Sequence, residues 1–143
     1  MRIAEILDAK GPAVTTISGD APVGEAVAAL ALHRIGALVV SSDGAHIEGI
    51  VSERDVVRLL GREPEGLLAR TVRSIMSSPV RTCTLATEVA SVMALMTDQR
   101  IRHVPVIEDG ALRGIVSIGD VVKSTIAQLE QDRRLLEEYI GAR

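Results

Sequence analysis

The sequence predicts an α/β (α+β) fold: two β-α-β-β-α repeats packed as a pseudo-two-fold pair, with a long C-terminal helix. Three observations carry this. "GIVSERDVV" (49–57) and "GIVSIGDVV" (114–122) repeat one nine-residue frame with two differences. Leftward of it, residues 14–40 align with 80–106 at an offset of 66, whereas the frames lie 65 apart. The one-residue change falls in the connecting turn, "SSDGAHIEG" against "IEDGALRG". An indel in a loop, with both flanks in register, is the mark of a structural duplication. Finally, a unit of about 45 residues buries too little apolar surface to stand alone, so two copies are expected to pack sheet to sheet.

The elements follow in order within each copy. A β-rich opening comes first, "VTTIS" or "VRTCTL". Apolar residues then recur at helical spacing: Val23, Val27, Leu30 and Ile35, or Val89, Val92, Met93 and Met96. A strand follows ("ALVVS", "HVPVI"), then a turn with Asp43-Gly44 or Asp109-Gly110, a hairpin signal. The strand "GIVS" leads into a second helix. The expected organisation is repeat one with an N-terminal lead-in (1–60), a linker and lead-in helix (61–79), repeat two (80–125) and a helical extension (126–143). "RIAEIL" near the start echoes "VRSIM" in the linker. From Ser117 to Ile140 the chain reads as one helix, with Val122, Ile126, Leu129, Leu136 and Ile140 as an apolar stripe. That stripe suits packing onto its own domain, or a dimer.

Composition narrows the function. Net charge is −3, which argues against a nucleic-acid protein. With one Tyr and no Phe or Trp, there are no stacking platforms for single strands either. Cys83 is alone, so no internal disulfide forms, and its apolar surroundings suit a buried strand residue. The start is too charged for a signal peptide, and no apolar run reaches membrane-span length, so the expected location is cytoplasmic, with no membrane partner. The three histidines show no metal-ligand spacing, and there is no catalytic triad or P-loop lysine. No metal, no catalytic residue and no enzyme activity are expected.

Ser52 and Ser117 stand at strand-to-helix junctions with Asp55 and Asp120 three residues on. That is the pattern of an N-cap with a capping-box acid. It also suits a ligand site. Free amides at a helix N-terminus attract phosphate, and a serine hydroxyl adds a donor. A carboxylate there would repel phosphate but accept bonds from a vicinal diol such as ribose. Gly49 and Gly114 are expected to leave the turn open near the cleft.

The doubled unit, the "GIVSxxD" ending and "RIRHVPV" resemble a tandem pair of CBS domains, a Bateman module. The resemblance covers residues 5 to 125. It implies a stand-alone regulatory or sensor module that binds adenosine-containing nucleotides between the repeats. The ligands implied are AMP, ADP, ATP or NAD(H), with S-adenosylmethionine as a further candidate, and no cofactor is required. It implies ribose on Asp55 and Asp120, and phosphate near Ser52, Ser117, Arg102 and His103. The opening segments, around Val14, Thr16, Val80 and Thr82, would line the adenine pocket. Without aromatics, adenine would sit between aliphatics such as Ile35, Val51, Ile101, Val116 and Ile118.

The copies are unequal. Gly36 and Ala37 stand where repeat two has Arg102 and His103, and Glu53-Arg54 faces Ile118-Gly119 across the motif. A phosphate-rich ligand is therefore expected near Arg54, Arg102 and His103, with non-equivalent clefts. The module would act on a separate, unidentified protein or as a homodimer. The alternative is a ligand-independent interaction module using the C-terminal helix.

Overall fold

The computed structural model describes residues 1–142, so Arg143, the last residue of the expected extension, lies outside the described residues. The first half contains α1 (Ile3–Lys10), β1 (Thr16–Ile17), α2 (Val23–His33), β2 (Ala37–Val40), β3 (Gly49–Ser52) and α3 (Glu53–Arg62). A 3-10 turn (Leu67–Ala69) and α4 (Val72–Ile75) link it to α5 (Val89–Gln99), β4 (His103–Glu108), β5 (Ala111–Ser117) and α6 (Ile118–Gly141).

The two helices of apolar spacing end alike. Arg34 and Arg100 take left-handed conformations, both at φ 53°, and their amides bond back to Leu30 and Met96. Ile35 thus lies beyond the helix it was expected to extend. In the first sheet β1 runs parallel to β2, and β2 pairs antiparallel with β3. The second sheet is β4 with β5 alone. Its opening segment makes only an isolated parallel bridge, Cys83 to Val106. The register explains the difference. Val39 stands opposite Ile50 and donates its amide to the Thr15 carbonyl at 3.3 Å. Pro105 stands opposite Ile115 in the same place and has no amide to donate.

The Asp-Gly signal holds in one copy only. Asp109 and Gly110 both take positive φ, 52° and 75°, and turn β4 directly into β5. Between Val40 and Gly49 the chain instead makes a longer loop. There the Asp43 carboxylate accepts from the amides of Ala45 and His46, both at 2.8 Å, and pairs with the His46 ring at 2.6 Å. The amide bond of His46 and then its ring hold Asp43 well below the usual carboxylate range, and His46 is raised in turn.

Buried side chains fall into clusters that divide along the repeats. Leu38, Val40, Val51 and Val72 belong to the first half, and Val104, Val106, Val116 and Val121 to the second. The two lead-in segments are exchanged. Ile3, Ile6 and Leu7 of α1 complete the second half's core, while Val72 of α4 completes the first. Backbone bonds fix each one: Ile3 to Thr87 and Ala4 to Leu85 on one side, Val72 to Ala21 and Arg73 to Gly19 on the other. The N-terminal lead-in that precedes repeat one therefore packs on repeat two.

The motif glycines serve this exchange and not an open turn. A Cβ on Gly114 would stand 2.8 Å from Leu7 Cδ1, and one on Gly49 would collide with Met76 Sδ. Both glycines lie in strands, where the missing side chain leaves room for the lead-in residue. Gly114→Ala should lower unfolding free energy in urea by about 1–3 kcal/mol through overpacking. Gly61, in the last turn of α3 with open space around it, is the control: Gly61→Ala should not lower stability and should raise it by at most about 0.8 kcal/mol. Equal effects at the two positions would contradict the packing role.

Candidate functional site

The first copy of the motif caps α3. Ser52 Oγ accepts from the Asp55 amide at 3.2 Å, and Asp55 Oδ2 accepts from the Ser52 amide and hydroxyl, both at 2.9 Å. The capping box predicted from spacing is thus complete. Asp55 Oδ1 has no protein partner among the described residues.

These groups stand on the wall of a cleft of about 510 Å³ between the two halves, within the usual volume for a small-molecule site. Repeat one contributes Ser52, Arg54, Asp55 and Arg58, and repeat two contributes Arg100, Ile101, Arg102 and His103. Ser117 and Ile118 close it from the start of α6. Four guanidiniums converge here, and among the described residues none of Arg54, Arg58, Arg100 and Arg102 makes a salt bridge. Their only acidic company on the wall is Glu53 and Asp55. His103 is half-buried against Gly36, where a Cβ would stand 3.1 Å from the imidazole Cε1. The side chain that repeat two has at His103 thus fills space that Gly36 leaves in repeat one. Burial, then the charge of Arg102, push the His103 pKa down, and Glu53 and Asp120 oppose this.

The second copy of the motif caps α6 in the same way, with Ser117 and Asp120. Its carboxylate has a further partner. Lys10 Nζ lies 2.5 Å from Asp120 Oδ2 and 2.9 Å from the Ile115 carbonyl. Burial alone would raise the Asp120 pKa. The bond from Lys10, then those from Ser117, bring it below the ordinary value.

The family model for the CBS domain matches twice, at residues 5–62 and 72–126. The chain belongs to the CBS domain family. A mitochondrial CBS domain-containing protein of Arabidopsis thaliana is 35% identical over 96% of this chain and 71% of its own length. A CBS-domain containing protein from Agrobacterium tumefaciens has a TM-score of 0.84 and 39% identity, covering 87% of this chain and 99% of its own. A CBS domain protein from Pyrobaculum aerophilum, complexed with AMP, has a TM-score of 0.74 and 29% identity, over 84% and 89%.

Within this CBS pair, Ser52, Arg54, Asp55, Ile101, Arg102, His103, Ser117 and Ile118 come together on one cleft. Asp120 is not on its wall. Val51 and Val116, expected against adenine, are fully buried, one in each core, and offer no surface to a base. Side chains alternate along a strand, so burying Val51 turns its neighbour Ile50 to the cleft instead. Val14, Thr16, Ile35, Val80 and Thr82 do not line this cleft. Arg58 was missed, although it follows Arg54 by four residues on α3, the spacing of one helix face. Arg100 and Ser77 gave no local signal. Cys83 is buried as expected, and burial pushes its thiol up to about 11. Among the described residues no group of three His, Cys, Asp or Glu could hold a metal, and no helix is long and apolar enough to cross a membrane.

His103 provides a pH test. Its folded pKa lies below the ordinary value, so the unfolded chain takes the proton first. The stability it contributes is present above about pH 6.5 and is lost as pH falls through the folded value. The melting temperature should fall more steeply for wild type than for His103→Gln below about pH 6.5. His46, whose pKa is raised, acts equally in both proteins. Parallel curves would contradict the assignment.

Proposed function

We propose that the chain is a regulatory module that binds an adenosine-containing nucleotide (AMP, ADP, ATP or NAD(H)) in the cleft between its CBS repeats, and acts on a separate partner or as a homodimer. One observation carries this reading. Four arginines without salt-bridge partners among the described residues and an Asp carboxylate with an open oxygen share a single cleft, in a protein of net charge −3. Guanidiniums recognise phosphate oxygens through forked, charge-assisted bonds. Asp55 would repel a phosphate but accept bonds from a ribose diol. The site therefore separates the ends of a nucleotide by charge. Ile50, Ile101 and Ile118 supply the apolar surface for a base. The AMP carried by the Pyrobaculum protein fits this reading. S-adenosylmethionine, with a cationic centre and one carboxylate in place of phosphate, would engage fewer of the four arginines.

A second reading has its own observation. Val122, Ile126, Leu129, Leu136 and Ile140 on α6 are 47–69% exposed. The stripe does not pack onto its own domain, and Val121 is the buried residue of that helix. A module whose main work is to present this helix to another chain would not need a nucleotide.

AMP should raise the melting temperature, by the equivalent of about 2.7 kcal/mol at 100 times Kd. Asp55→Asn should abolish the shift. Arg102→Met should weaken AMP binding by about 10- to 100-fold, the worth of a hydrogen bond to a charged group, while adenosine binding stays unchanged. No stabilisation by any adenosine compound at millimolar concentration would overturn the nucleotide reading and favour the helix reading.

A further inference from the structure

We infer that the apolar face of α6 pairs with the α6 of a second copy of this chain, the two helices running antiparallel. This rests on the homodimer named in the proposed function and deepens it, by giving the surface and the orientation. It does not depend on the nucleotide.

The stripe has the period of a coiled coil. Val122, Ile126, Leu129, Leu136 and Ile140 follow alternating steps of four and three once Arg133 is placed between Leu129 and Leu136. In heptad terms Ile126, Arg133 and Ile140 are a positions, and Val122, Leu129 and Leu136 are d positions. All five apolar members are exposed. A different side of the helix meets its own domain: Val121 is buried, and Ser124 and Thr125 are half-buried. The outer part of α6, residues 127–141, lies beyond the segments that match the CBS family. At its start, Ile118, Gly119, Val122, Lys123 and Ile126 line a shallow apolar groove.

Charge selects the occupant and its direction. Parallel helices in register set a against a, so Arg133 would meet Arg133 of the second copy within the seam. Asp132, at g, would face Glu137 of the second copy, at e. Both contacts are repulsive. Antiparallel helices set a against d. Val122 then meets Ile140 of the second copy, Ile126 meets its Leu136, and Leu129 meets its Arg133, all in one register. The arginine lies over a leucine, where its methylene stem packs while its guanidinium stays at the edge, 3.5 Å from Glu137 of its own helix. Lys123 falls opposite Glu137 of the second copy, twice by symmetry. Among the described residues Lys123 makes no salt bridge within its own chain. At the two-fold, Glu130 and Asp132 meet their own counterparts, with both Arg133 guanidiniums beside them. The same register carries Ile140 of the second copy into the groove at Val122, where Gly119 has no Cβ to obstruct it.

Sedimentation equilibrium of the full chain tests this. Wild type should be a dimer and Leu136→Asp a monomer. Lys123→Glu and Glu137→Lys should each weaken dimerisation about ten-fold, since each puts two like-charge pairs across the seam. Mixed with one another, or combined in one chain, they should return to wild-type strength. That rescue keeps the test decisive whatever Leu136→Asp does to the helix end. Oxidation reads the direction. Val122→Cys and Ile140→Cys proteins, when mixed, should form a disulfide-linked pair. Neither should link to itself, because antiparallel helices hold the two copies of each position about 27 Å apart along the axis. Cys83 is buried with its thiol pKa raised, and does not compete. A wild-type monomer would overturn this inference and the homodimer with it, leaving a different protein as the occupant of the stripe. A dimer that survives Leu136→Asp, ignores both charge changes or links residue 140 to residue 140 would overturn the inference and leave a homodimer standing.

Discussion

The packing of Leu7 against Gly114, and of Met76 against Gly49, is the constraint on which the molecule depends. Each small sheet has a strand with no Cβ at one point, and an apolar side chain from a lead-in segment fills that point. Neither half supplies its own plug. The N-terminal helix serves the second repeat and the linker serves the first. Two units too small to be stable separately are joined by exchanging segments. The link is local packing at two sites, each sensitive to a single methyl group.

That exchange also sets the chemistry. Because both lead-in segments are pinned at equivalent points, whatever follows them is delivered beside the β-strand that leads into a motif serine. After Met76 an extended backbone arrives and consumes no side chain. After Leu7 a further helical turn arrives, carrying Lys10. The surroundings of the two motif aspartates differ in charge. Arg54 and Arg58 on α3 meet Arg100 and Arg102 before β4 in the cleft beside Asp55, while Asp120 is paired with Lys10. Capping does not use up the Asp55 carboxylate. Asp55 uses one oxygen to cap α3 and keeps the other open.

Much of this was legible in the sequence. The duplication fixed the order of elements, both capping boxes and the long last helix, because these depend on local spacing and hydrogen bonding. The gathering of Arg54, Arg102 and His103 at one cleft followed from the asymmetry of the copies. What stayed hidden depends on contacts between distant segments. The echo between "RIAEIL" and "VRSIM" was readable, but not which repeat each would serve. Lys10 carried no motif, and its partner stands 110 residues away. Val51 and Val116 were misplaced by one step of strand alternation, since an aliphatic run does not reveal which residues face the core. The first Asp-Gly failed as a hairpin because one extra residue let Asp43 and His46 build a loop of their own. The stripe on α6 has the spacing of a packed helix, yet the fold gives it nothing to pack on.

The central claim is that two similar motifs, each braced by an exchanged lead-in segment, have unlike surroundings, and that the one at Asp55 is the nucleotide site. A crystal structure of the full chain grown with saturating AMP tests it most directly. The account predicts ribose hydroxyls on Asp55, phosphate among Arg54, Arg58, Arg100 and Arg102, and Lys10 still on Asp120. AMP on Asp120 with Lys10 swung away, or no AMP density at Asp55, would contradict it.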